Sequence, residues 1–242
     1  ALDMEAGLEI NPPHDITDKP IAEDVAAYGR SERLFALLSQ AAERLGRAEN
    51  SSQANCLWPW GQGKPLLLGD FKETYGYTGC VVTAVDLVKG LGNASNMYTP
   101  HIKGATAWVD TDYNAKVSET LRFLKEDGDF VYLHVEAPDE AAHQGQMDLK
   151  IQAIEDFDAK VVAPVLEYLE AENGAAIMAC DHFTPMEIRT HSHDPVPFVV
   201  WAAGIQGDGT AQGYSEEECN KSGVLLEKGH ELISWALERI GK

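Results

Sequence analysis

Phe130-Val131-Tyr132-Leu133-His134-Val135-Glu136-Ala137-Pro138-Asp139-Glu140-Ala141-Ala142-His143 is the stretch whose reading decides the fold. Residues 130–135 form a continuous β-type run, the pattern of a strand covered on both faces. Polar and acidic residues follow at once. Residues 80–85, 175–180 and 197–201 carry similar runs. Between them lie helical patterns. Asp112 can cap a helix with Val117, Leu121 and Leu124 inward. Residues 147–171 repeat apolar side chains at helical spacing, with Pro164 inside predicting a kink or break. Residues 228–240 close the chain as a helix. Strands alternating with helices predict an α/β fold: a mostly parallel sheet with helices on both faces.

The first quarter of the chain has another texture. Residues 1–30 are polar and turn-rich and predict loop. Ser31 can cap a helix to about Leu45, with Leu34, Leu37, Leu38, Ala41 and Leu45 on one face and Gly46 as its stop. Residues 47–53 read as a polar linker. Residues 57–60 read as a short strand, and Gly61-Gln62-Gly63-Lys64 as a loop. Asp70 to Tyr75 reads as a short helix closed by Gly76.

The chain has 242 residues, enough for one large α/β domain or two smaller ones. Apolar residues at 44% and charged residues at 24% exclude wholesale disorder. Lysine and arginine number 19 against 39 aspartates and glutamates, a net charge of −20. That excess argues against nucleic-acid binding and against an anionic membrane surface. An anionic substrate would need metal ions or a few placed cations to reverse the field locally. The four cysteines are widely spaced with no CxxC pair, which predicts reduced thiols in a cytoplasmic protein. No run of 18 apolar residues exists, so no transmembrane helix is expected. The opening residues do not have the pattern of a signal peptide.

In open α/β sheets, chemistry sits beyond the carboxyl ends of the strands. Five of the eight histidines lie between 134 and 193, at or near such ends. Asp139 and His143 are spaced i, i+4, so on a helical turn they share one face. Carboxylate plus neutral imidazole suits a divalent metal such as Zn or Mn. The plainer account is a solvated surface pair. Asp181 and His182 follow the 175–180 run directly, where a charged group needs a counter-charge. His191 comes ten residues after Asp181; alone it reads as a loop residue. From spacing, a metal site and three unrelated polar groups both remain open. Serine hydrolase chemistry lacks its GxSxG elbow. The 61–64 loop lacks the full phosphate-loop spacing.

Taken together, these blocks resemble the archaeal-type cofactor-independent phosphoglycerate mutases of the alkaline phosphatase superfamily. The matching pieces include Trp58-Pro59-Trp60-Gly61-Gln62-Gly63-Lys64, Val85 to Gly90, His134 to His143, Asp181-His182-Phe183-Thr184-Pro185, and His191 with Asp194-Pro195-Val196-Pro197. The resemblance implies an alkaline-phosphatase-like sheet plus the remnant of an inserted domain. Residues 1–68 would be the carboxyl-terminal part of that substrate domain and its return segment, and 69–242 the metal-binding domain. It implies two divalent ions (Mn, Mg or Zn), one held by Asp139, His143 and His191, the other by Asp181 and His182. Lys64 and Lys89 would bind a small phosphorylated substrate. The implied reaction interconverts 2- and 3-phosphoglycerate through a phosphoserine. Other relatives in the superfamily are homoserine kinase-like enzymes or phosphatases. The family's opening strand with its Asp-Gly pair, and its nucleophilic serine, have no counterpart here; the Asp-Gly pairs at 127–128 and 208–209 fall too late. The expectation is therefore a carboxyl-terminal portion of a longer enzyme, inactive alone or reduced to a metal-binding fragment, with the missing amino-terminal segment as its partner.

Overall fold

A computed structural model of the chain describes residues 5, 7–47, 49–64, 67–207 and 209–240. Residues 1–4 and 6 of the opening loop, residue 48 of the linker and Asp208 lie outside the described residues. The chain forms two compact units, Ala1–Leu67 and Leu68–Lys242.

In the first unit, residues predicted as loop contain a 3-10 turn, Pro13–Ile16, and a helix α1, Ala22–Tyr28. Acidic Glu23 and Asp24 in its first turn and Gly29 behind it are ordinary helix signals. They are compressed into seven residues, too few for periodicity to show. Helix α2, Glu32–Leu45, starts and ends where the sequence places it. The Ser31 hydroxyl accepts from the Leu34 N–H, and Gly46 is the cap. Of its apolar face, Leu34, Leu38, Ala41 and Leu45 are half-buried and Leu37 is exposed. Residues 57–60 are not a strand. Pro59 offers no N–H to a ladder. The segment is held instead by side chains: the Tyr28 hydroxyl donates to the Pro59 carbonyl, and the Trp58 indole donates to the Asn11 carbonyl.

The second unit begins with α3, Phe71–Tyr75. Asp70 accepts from the Glu73 N–H, and Gly76 takes φ 81° at the cap, where a side chain would be strained. Strand β1, Gly79–Val82, is buried throughout. Helices α4 (Asp86–Ala94) and α5 (Tyr113–Glu126, capped by Asp112) follow. Strand β2, Phe130–Leu133, pairs parallel with β1, Gly79 opposite Phe130 and Val82 opposite Leu133. It runs into α6, Ala137–His143. The long 147–171 pattern divides into α7 (Met147–Phe157), a π-turn (Asp158–Val162) and α8 (Ala163–Ala171). The wide turn lies just ahead of Pro164, which has no N–H to give the previous turn. Strands β3 (Ala175–Ala179) and β4 (Phe198–Ala202) pair antiparallel, followed by α9 (Glu216–Lys221) and α10 (Leu232–Arg239).

Among the described residues one strand pair is parallel and the other antiparallel, within the α/β fold that the sequence predicts. Residues 180–197 between β3 and β4 contain no helix among the described residues. Without a helical crossover, the chain returns antiparallel. Burial is uneven too. Tyr132 of β2 is 42% exposed, and β4 is half-buried along its length. The core lies on α5: Cys80, Val82, Ile102 and Phe123 pack on one side, and Tyr113, Val117 and Val161 on the other.

Candidate metal centre

The carboxyl ends of β2 and β3 supply the site. After β2 the backbone turns straight into α6, whose i, i+4 spacing puts Asp139 and His143 on one face, His143 Nε2 lying 3.4 Å from Asp139 Oδ2. After β3 the chain makes a loop closed by an antiparallel bridge between Phe183 and Ser192. That bridge brings His182 and His191 together, with ring centroids 3.6 Å apart. His191 Nε2 lies 3.0 Å from His143 Nε2 and 3.6 Å from Asp139 Oδ1. His182 Nδ1 lies 3.9 Å from Asp139 Oδ1. Asp139, His182 and His191 each offer a ligand atom within 4.8 Å of the others. Asp181 is more exposed and faces His182, with Oδ2 3.4 Å from its Nε2.

The hydrogen bonds show what this arrangement suits. His143 Nδ1 lies 2.9 Å from the Arg189 carbonyl, which can only accept. The ring proton therefore sits on Nδ1, and a neutral His143 turns the lone pair of Nε2 toward His191 Nε2 at 3.0 Å, with Asp139 Oδ2 beside it at 3.4 Å. An imidazole held by a carbonyl on one nitrogen and facing carboxylate with the other is the usual arrangement around a bound metal. Lone pairs crowded this closely repel unless a cation or a proton lies among them. The donor set, imidazole with carboxylate, fits Zn, Mn or a similar divalent ion. Arg189 itself adopts φ 52°, a left-handed conformation uncommon outside glycine, at the point where its carbonyl must reach His143.

Behind α6 lies a buried polar network that the sequence patterns do not reveal. Lys116 of α5 is wholly buried, and Glu136 at the α6 start nearly so. Lys116 Nζ donates to Glu136 Oε2 and to the His134 carbonyl, both at 2.9 Å. The Thr83 hydroxyl and the Ala84 N–H donate to Glu136 Oε1 at 3.0 and 3.1 Å. Burial alone would raise the Glu136 pKa. The His134 and Lys116 hydrogen bonds and charges outweigh it and hold the carboxyl down at about 2. The network ties the ends of β1 and β2 to the start of α6, and so sets where Asp139 and His143 stand. Thr184 is a second residue that motif spacing leaves without a role. It is buried, and its hydroxyl donates to Asp139 Oδ1. Its signal is the i, i+2 step from His182, which puts both on one side of extended chain.

Cys180, next to Asp181, has its thiol pKa raised. Burial raises its pKa, despite a 3.9 Å contact with the Tyr214 hydroxyl, and the Asp181 carboxylate adds to the rise. All four cysteines are free thiols. Lys89 Nζ lies 3.3 Å from both the Ala84 carbonyl and Asp86 Oδ1. Lys64 is exposed and belongs to the first unit. Two surface concavities, each about 540 Å³, include none of the clustered residues. Among the described residues no helix is long and apolar enough to cross a membrane.

Residues 32–232 match the family model described as the metalloenzyme superfamily. Among curated proteins, the chain is 38% identical over 244 residues to a probable 2,3-bisphosphoglycerate-independent phosphoglycerate mutase of Geobacter sulfurreducens, covering 97% of this chain and 61% of that protein. It is 39% identical to the 2,3-bisphosphoglycerate-independent phosphoglycerate mutase of Methanosarcina barkeri, covering 95% of this chain and 60% of that one. The chain thus spans about three fifths of the length of these relatives. A solved protein structure from Pyrococcus horikoshii superposes with TM-score 0.68 at 31% identity, covering 74% of this chain and 53% of that one. A cofactor-independent phosphoglycerate mutase from Thermoplasma acidophilum superposes with TM-score 0.53 at 18% identity, over 88% of this chain and 53% of that one, a likeness of fold.

Proposed function

This chain belongs to the metalloenzyme superfamily, and from that premise we propose that it is the metal-binding part of a cytoplasmic phosphoryl-transfer enzyme that interconverts 2- and 3-phosphoglycerate. The observation that carries the reading is the convergence of Asp139, His143, His182 and His191 from two strand ends onto one another. The names of the relatives supply the reaction. Asp139, His143 and His191 hold one divalent ion; Asp181 and His182 hold the second. Such ions supply Lewis acidity, which neutralises charge on a transferring phosphoryl group and acidifies an attacking hydroxyl. Mn or Zn suits three imidazoles better than Mg does.

The chain's own residues do the rest of the work assigned to them. The Arg189 carbonyl keeps His143 in one tautomer. Lys89 and Lys64 offer positive charge to a phosphate or carboxylate. Residues 1–68 represent the last part of a substrate domain, and 69–242 the catalytic core. The phosphoryl-accepting serine belongs to the part of a longer protein that this chain does not span.

Two measurements test the reading. Purified chain loaded with Mn²⁺ and analysed by mass spectrometry should retain up to two ions, with Asp139→Ala and His182→Ala each retaining less. Unchanged metal content in both variants sinks the two-ion site. Incubated with 3-phosphoglycerate and Mn²⁺, the longer protein should form 2-phosphoglycerate by ³¹P NMR, while the 242-residue chain alone should show little turnover. Phosphorylation of homoserine by ATP in place of mutase activity would move the enzyme to another branch of the superfamily.

A further inference from the structure

We propose that Thr184 is a positioning residue whose single hydroxyl sets the geometry of both ion sites at once. The inference rests on the two-ion reading above. Thr184 is 5% exposed, and its carbonyl is anchored by Lys150 Nζ at 2.8 Å. Its hydroxyl lies between Asp139, assigned to one ion, and His182, assigned to the other. It donates to Asp139 Oδ1, and its oxygen is 3.3 Å from His182 Nδ1.

A hydroxyl has one hydrogen and two lone pairs. The carboxylate, as the charged acceptor, takes the hydrogen. The oxygen can then only accept from His182, so the imidazole proton is fixed on Nδ1. His182 Nε2 is left as a lone pair 3.4 Å from Asp181 Oδ2, two electron-rich atoms that a cation would bridge. On the other side, Oδ1 of Asp139 is occupied by the hydroxyl, and Oδ2 faces His143 Nε2 at 3.4 Å. The same oxygen atom therefore selects a tautomer in one site and a carboxylate rotamer in the other. A valine at position 184 keeps the shape and removes both effects. A serine keeps the hydroxyl.

The test compares wild type, Thr184→Val and Thr184→Ser as the intact 242-residue chain. Mn²⁺ affinity is measured by calorimetry, melting temperature in chelator, and the His182 tautomer by ¹⁵N NMR at pH 8 without metal. Loss of outer-sphere partners typically weakens metal binding 10- to 100-fold. Thr184→Val should weaken binding at both sites by about that factor, and its His182 ring should populate both tautomers. Thr184→Ser should stay within about threefold of wild type, with its His182 proton on Nδ1. All three should melt within a few degrees in chelator, which separates positioning from folding. Wild-type affinity in Thr184→Val, or equal losses in Val and Ser, overturns the inference while leaving the two-ion reading intact. Absence of Mn²⁺ binding by wild type overturns both.

Discussion

At the scale of single residues, the buried Lys116–Glu136 pair has the largest consequences. Two charges taken out of water are tolerated only when fully bonded. Glu136 meets that condition through Thr83, Ala84 and Lys116. Its folded pKa, about 2, lies below the 4.5 of an ordinary glutamate. A depressed carboxylate adds stability above its unfolded pKa and loses it as pH falls toward the folded value. The contribution, on the order of 3 kcal/mol, is therefore present at pH 7 and fades between about pH 4.5 and pH 2. Glu136→Gln strands the Lys116 charge in the interior and should cost about 3–5 kcal/mol at pH 7. Urea midpoints at pH 7 and pH 3 check this: the gap between wild type and variant should narrow at pH 3. A gap of equal size at both pH values would assign the loss to packing. A buried lysine on an otherwise amphipathic helix has no sequence signature, so neither member of this pair was legible beforehand. Asp139 and His143 were, because i, i+4 spacing after a strand is a local pattern. Their convergence with His182 and His191 was expected from the family resemblance and not from spacing, because it depends on how the 180–197 loop folds back.

At the scale of elements, helix starts and ends were the most readable feature. Ser31, Asp70 and Asp112 each cap the helix expected of them, and Gly46 and Gly76 end theirs. These signals are chemical and local. Strand length was less readable: β1 stops at Val82 because the Thr83 hydroxyl turns to Glu136 and accepts from the Val85 N–H. Two glycines in α4 show how packing overrules propensity. A Cβ on Gly92 would lie 2.7 Å from Val81 Cγ2 and 2.8 Å from Thr99 Cγ2, so the helix meets β1 at close range only without a side chain. A Cβ on Gly90 meets nothing within 4 Å. Gly92→Ala should destabilise by about 1–3 kcal/mol through overpacking. Gly90→Ala, two residues away on the same helix, should stabilise by up to about 1 kcal/mol. Thermal melts of the two variants in one buffer decide it; shifts of the same sign would refute the packing account.

At the scale of the molecule, the −20 charge and the cation-seeking cluster belong to one problem. A strongly acidic chain repels a phosphorylated substrate unless positive charge is concentrated where the substrate binds. Burial adds a second asymmetry. Strand β1 is sealed, whereas Tyr132 and the whole of β4 keep substantial exposure. Two-stranded sheets with open faces are marginal in water. These open faces belong to a chain that spans about three fifths of its relatives' length. Amide hydrogen exchange should therefore rank the strands by burial in the 242-residue chain, with Cys80 and Val82 slowest and Val199 to Trp201 much faster. In the longer protein, protection of β2 and β4 should rise by at least about tenfold, while β1 changes little. Equal protection of β1 and β4 in the short chain would show that its stability does not follow apolar burial. Unchanged exchange of β2 and β4 in the longer protein would place the additional polypeptide away from these strands.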